Sequence, residues 1–112
     1  MVFSKEAGMS VMFEFAMFPT DKGESVSEYV SRLLKVIDKS AVPYKLTPMG
    51  TVVEVDTFDA ALKIIRQAYK ELEPDCNRIY SAIKFDIRKG KKGRLAQKVA
   101  SIEKKIGKKL KT

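Results

Sequence analysis

The chain has 112 residues and a formal net charge of +8, with one Cys and no His. That is the length of one domain, large enough to bury a core without metals or cross-links. A single thiol excludes an internal disulfide and points to a reducing, cytoplasmic setting, and the lack of His excludes His-based catalysis and Cys/His zinc centres. The charge is uneven: 10 Lys/Arg stand against 12 Asp/Glu up to Ile83, and 12 against 2 from Lys84 onward. No apolar run approaches a membrane span. Residues 1–8, MVFSKEAG, lack the apolar centre of a signal peptide and read as a flexible extension. Residues 9–112 read as the single domain.

Period-2 alternation puts Val11, Phe13, Phe15 and Met17 on one face of a first strand over Ser10–Phe18. Pro19 and "TDKG" break it. A helix follows, with Val26, Val30, Leu33 and Ile37 at helical spacing and Ser25/Glu28 spaced as a capping box. Tyr44–Thr47 and Thr51–Val55 read as a hairpin around "PMG". Thr57 or Asp59 is placed to cap a second helix, whose stripe is Ala61 (or Leu62), Ile65, Ala68 (or Tyr69) and Leu72. Pro74 lies past its end. In "RIYSAIKFDIR", Ile79, Ser81, Ile83, Phe85 and Ile87 face one way, toward the core. After the basic loop "KGKKG", a third helix is expected from about Leu95 to Leu110, with Leu95, Val99, Ile102, Ile106 and Leu110 as its stripe.

The order β-α-β-β-α-β, then α, implies two right-handed βαβ halves. The expected fold is α+β: a ferredoxin-like βαββαβ sandwich with an added C-terminal helix. Its helices cover one sheet face. The other face carries Met12, Glu14, Ala16, Phe18, Val52, Glu54, Tyr80, Ala82, Lys84 and Asp86, a mixture of apolar and charged groups. Such a face suits solvated cross-strand ion pairs or a contact surface.

The hairpin is unusual in lacking a polar tip such as Asn-Gly. Thr47 and Thr51 offer hydroxyls, Met49 a soft apolar contact and Gly50 a close backbone approach. With the Glu54 carboxylate, the set suits a flat, amino-bearing heteroaromatic ring. The same residues equally suit a plain hairpin, with Gly for the turn and Thr for the strands.

Three stretches, "FPTDKGESVSEYVSRLLKVI", "YKLTPMGTVVEV" and "RIYSAIKFDIRKGKKGRLAQKVASIEKK", resemble the small thiamine-binding protein family, over about Met9 to Lys105. "LTPMGT" and "KFDIRKGKKGRL" are the most specific parts. The resemblance implies binding of thiamine or its hydroxymethylpyrimidine half without catalysis. It also implies homo-dimers or tetramers that pair through the sheet, and the five-residue apolar stripe of the C-terminal helix suits packing on its own sheet or across such a dimer. It assigns Thr47, Met49, Gly50 and Thr51 to the pocket lining. Glu54 and Asp86 become acceptors for the ligand. Ser25 and Ser27 are contacts at the first helix's N-terminus, and Lys84 is a further contact or the partner of Glu14 or Glu54. No cofactor, metal or membrane is implied.

The alternative is an RNA-binding module that uses the basic C-terminal region. The fourth strand lacks the sheet aromatics of an RNA-recognition motif, so nucleic acid is not the expected partner. An enzyme of the acylphosphatase kind shares only the fold.

Overall fold

Eleven residues of alternating size open the sheet: Met9–Pro19 forms β1, with Val11, Phe13, Phe15 and Met17 all buried. In the computed structural model, which describes residues 8–112, the chain continues through α1 (Ser27–Lys39), β2 (Tyr44–Thr47), β3 (Gly50–Val55), α2 (Phe58–Leu72), β4 (Ile79–Lys89) and α3 (Arg94–Ile106). The expected extension lies outside the described residues except for Gly8, whose carbonyl accepts a hydrogen bond from the Gly90 amide at 2.9 Å.

The sheet order is β2-β3-β1-β4, antiparallel throughout. This is the ferredoxin-like arrangement, with β1 and β3 central and α3 added after the second half. The register pairs Met12 with Glu54 and Asp86, and Glu14 with Val52 and Lys84. The even-numbered residues of β1 and β4 thus share the second face with Val52 and Glu54, as the alternation requires. On the other face, Leu33 and Ile37 of α1 and Ala61, Ile64, Ala68 and Leu72 of α2 close the core over Val53 and Val55. In α2 it is Ile64 that is buried, while the expected Ile65 packs at the margin.

Three local expectations are corrected. The Ser25/Glu28 capping box does not form: α1 begins at Ser27 with Val26 as its N-cap residue and no side-chain cap. Its first bond runs from Val30 N to Val26 O, and Glu28 turns instead to Arg32 at 3.3 Å. α3 ends at Ile106, short of Leu110, because Gly107 adopts φ 73° and terminates it. Phe85 faces the helices as expected but is not buried. β4 is an edge strand, and Phe85, 38% exposed, packs beside the Phe13 and Phe58 rings, at 5.8 and 5.1 Å between centroids. At α2, Thr57 is the cap, accepting from the Ala60 amide at 3.0 Å.

Candidate functional site

The hairpin closes on its own hydroxyl. Thr47 Oγ1 accepts from the amides of Met49 (3.2 Å) and Gly50 (3.1 Å) and donates to the Gly50 carbonyl (2.8 Å). Two-residue hairpin loops usually need positive φ in the loop. Pro48 and Met49 have none, since Ala41 is the one non-glycine residue at positive φ among the described residues. The Thr47 hydroxyl ties down the turn that Pro48 starts. Gly50 also serves the fold: a Cβ there would lie 3.1 Å from the Phe15 carbonyl oxygen, so the glycine lets β3 start close against β1.

Beside this hairpin lies a cavity of about 210 Å³. Its walls are the end of β1 (Phe15 to Phe18), the apolar side of α1 (Val26, Val30, Leu33, Leu34) and the hairpin from Leu46 to Thr51. Thr51 is 4% exposed, and its hydroxyl has no hydrogen-bond partner among the described residues, whereas every fully enclosed side-chain polar atom there has one. The hydroxyl is therefore not fully enclosed, and Thr51 lines the cavity. Met49, 85% exposed, stands at the tip over the rim.

A second constellation lies on the opposite sheet face. Glu54 is 6% exposed and accepts from Ser10 Oγ (2.7 Å) and from the amides of Arg94 and Leu95 (both 3.0 Å). α3 has no acidic residue in its first turn, so β3 supplies the carboxylate that a helix N-terminus favours. The preceding Gly93 adopts φ 69°, which turns the chain into the helix. Arg94 completes the latch. Its Nε donates to Ser10 Oγ (2.9 Å), and its terminal nitrogens reach the Asp86 carboxylate and carbonyl, both at 2.7 Å. Burial alone pushes the Glu54 carboxyl up, but the Ser10 hydroxyl, the two amides and the Arg94 charge outweigh it, leaving the group below its ordinary value.

The nine candidate residues thus separate into groups. Thr47, Met49, Gly50 and Thr51 line one cavity, and Ser25 and Ser27 flank Val26 at its α1 wall, their hydroxyls 3.4 Å apart. Glu54 and Asp86 belong to the α3 latch on the other face. Lys84 pairs with Glu14 at 2.9 Å. Neither Ser10 nor Arg94 stood out in the sequence. The signal was an Arg at a helix start with no acid in the first turn.

The sequence model described as "Thiamine-binding protein" matches residues 13–103. The chain belongs to the thiamine-binding protein family. Its relatives include the UPF0045 protein MJ1052 of Methanocaldococcus jannaschii, 35% identical over 92 residues, or 82% of this chain and 91% of that protein. The UPF0045 protein Mb1933 of Mycobacterium bovis is 33% identical over 95 residues, 85% of this chain and 93% of its own. The crystal structure of the M. jannaschii protein has the same fold, with a TM-score of 0.75 at 34% identity over 83% of this chain and 95% of that one. The part of the chain matched to the thiamine-binding family contains both the hairpin cavity and the Glu54–Arg94 latch; Ser10 lies just before it.

Proposed function

We propose that this chain binds thiamine, or its hydroxymethylpyrimidine half, in the hairpin cavity and does not transform it. The observation that carries this reading is Thr51, buried in the wall of a mostly apolar cavity with no side-chain hydrogen bond among the described residues. A flat heteroaromatic ring fills such a space, with one hydrogen bond fixing its orientation. The cavity's 210 Å³ is below the usual range of about 300–1,000 Å³ for drug-sized ligands. That favours the pyrimidine half as the buried part, with any remainder at the rim near Met49, Ser25 and Ser27. Glu54 and Asp86 serve α3 in this reading, not the ligand.

Absence of catalysis is supported by the chemistry at hand. Cys76 is buried, and burial followed by the nearby Asp75 and Asp21 charges pushes its thiol up, away from a reactive thiolate. The active form is a cytoplasmic homo-dimer or tetramer. Support for assembly comes from the open sheet face, where Phe18 and Tyr80 lie 5.5 Å apart, and from Ile102 and Ile106 of α3, both exposed. The RNA-binding reading is not adopted, because the centre of that face carries Met12, Glu14 and Ala16 of β1, not the base-stacking aromatics of an RNA-recognition motif.

The test is calorimetric titration of the wild type and Thr51→Val with thiamine and with hydroxymethylpyrimidine. Val keeps the shape and removes the hydroxyl. The expected result is saturable binding near or below about 10 µM, roughly −7 kcal/mol, weakened about tenfold in Thr51→Val. Equal affinity in the two proteins places the ligand elsewhere.

A further inference from the structure

A second cleft, of about 540 Å³, lies on the far side of the sheet between its open face and α3. Its apolar parts are Met12 of β1 and Ile102 of α3. The remaining lining is strongly cationic. Arg88 comes from β4, Lys91 from the loop before α3, and Lys98 from α3 itself, one turn beyond Arg94. Arg94 and Asp86 neutralise each other at 2.7 Å. Arg88, Lys91 and Lys98 make no ion pair among the described residues. Gln97 and Ser101 add neutral hydrogen-bonding groups on the same side of the helix.

Arg88, Lys91 and Lys98 are exposed, so together they give the cleft a positive field that is open to a mobile anion. Three cations from three separate segments converge on one concavity, where low-dielectric walls focus their field. The latch makes the convergence fixed, because Glu54 and Ser10 hold Arg94 and the first turn of α3 against the sheet. Glu54 already occupies the amides at the helix start, so the cleft recognises its guest through side chains.

We propose that this cleft binds a phosphate-bearing small molecule, a phosphate monoester or a diphosphate, whose apolar part lies against Met12. A phosphate monoester carries about −1.5 to −2 charges at pH 7, which three converging cations match. The bounded cleft and its apolar ends favour a small ligand over a nucleic-acid backbone, which would track an open basic stripe. The site is on the opposite sheet face from the hairpin cavity and does not depend on the reading given for that cavity.

The probe is inorganic pyrophosphate, titrated into the full chain by calorimetry and followed by amide NMR. The expected result is saturable binding, with shifts concentrated in residues 86–102. The Arg88→Gln/Lys98→Gln protein should bind at least about tenfold more weakly, the size of one lost charge-assisted hydrogen bond. A Lys109→Gln/Lys111→Gln protein, altered outside the cleft, should bind as the wild type does. Both substituted pairs are exposed, and equal thermal midpoints check that the fold is intact. Thiamine titrations of the same proteins should be unchanged, which separates this site from the hairpin. Absence of saturable binding overturns the proposal. So does equal weakening by the two double substitutions, which would mean diffuse attraction by the whole tail. Displacement of pyrophosphate by a short single-stranded RNA that binds more tightly, with steeper salt dependence, would assign the surface to nucleic acid and overturn it as well.

Discussion

Thr47 and Thr51 flank the same turn, look alike in the sequence and do different work. Both alternate correctly for a strand, and only the fold shows that one hydroxyl bonds the hairpin backbone while the other meets a cavity. Thr47→Val therefore tests the hairpin. Three hydrogen bonds are lost together, and the expected cost is about 1–2 kcal/mol, read as a lower thermal midpoint, with Thr47→Ser close to wild type. Gly50→Ala tests the close approach of β3 to β1. The obstructing atom is a backbone carbonyl of the central strand and yields little, so destabilisation of about 1–3 kcal/mol is expected in chemical denaturation. A Gly50→Ala protein as stable as the wild type would show that the two strands separate easily. The glycine was visible in the sequence, but its reason was not, since a turn glycine usually signals positive φ and this one has none.

The strands and the two core helices were legible because alternation and helical spacing act within a few residues. The register that unites Glu54 with Ser10 and Arg94 acts across 40 to 84 positions of sequence, and no local pattern encodes it. Even so, α3 depends on that contact for its docking. Glu54→Ala removes the acceptor of two helix amides and of the Ser10 hydroxyl. The expected cost is on the order of 2–3 kcal/mol, with faster hydrogen exchange at the Arg94 and Leu95 amides than in β1. The latch also predicts a pH dependence. The folded-state value of Glu54 lies below its ordinary 4.5, so its stabilisation is complete above that pH and is lost as pH falls through the lower folded value. Thermal midpoints measured from pH 6 downward should fall more steeply in the wild type than in Glu54→Gln, which has no proton to take up. Parallel curves would remove Glu54 from the account of acid sensitivity.

On the scale of the whole molecule, the C-terminal helix and the edge of the sheet present what the core does not absorb. α3 was read as a long amphipathic helix, and its apolar stripe is real, but only its first turn is latched; Ile102 and Ile106 remain 43% and 54% exposed. On β4, Ile87 is 49% exposed beside Phe85, and α2 meets this edge strand through the Phe58 ring at its first residue. The sequence told which side chains share a face. How far the two helices extend over that face depends on crossover geometry, which periodicity does not report. A protein with this much apolar surface on one helix, together with an eleven-residue edge strand whose outer side has no partner strand among the described residues, is expected to self-associate. Fully burying one such side chain contributes about 1.5–3 kcal/mol, so Ile102→Glu/Ile106→Glu should weaken a dimer or tetramer by well over tenfold. Both positions are exposed in the protomer, so the substituted chain should fold and melt as a monomer. Sedimentation at micromolar concentration decides it. An oligomer that the double substitution dissociates identifies α3 as part of the interface. If the oligomer survives, the contact moves to the sheet, with Tyr80 and the β4 edge next in line. A wild-type monomer would leave the stripe on α3 without a partner copy and overturn assembly altogether.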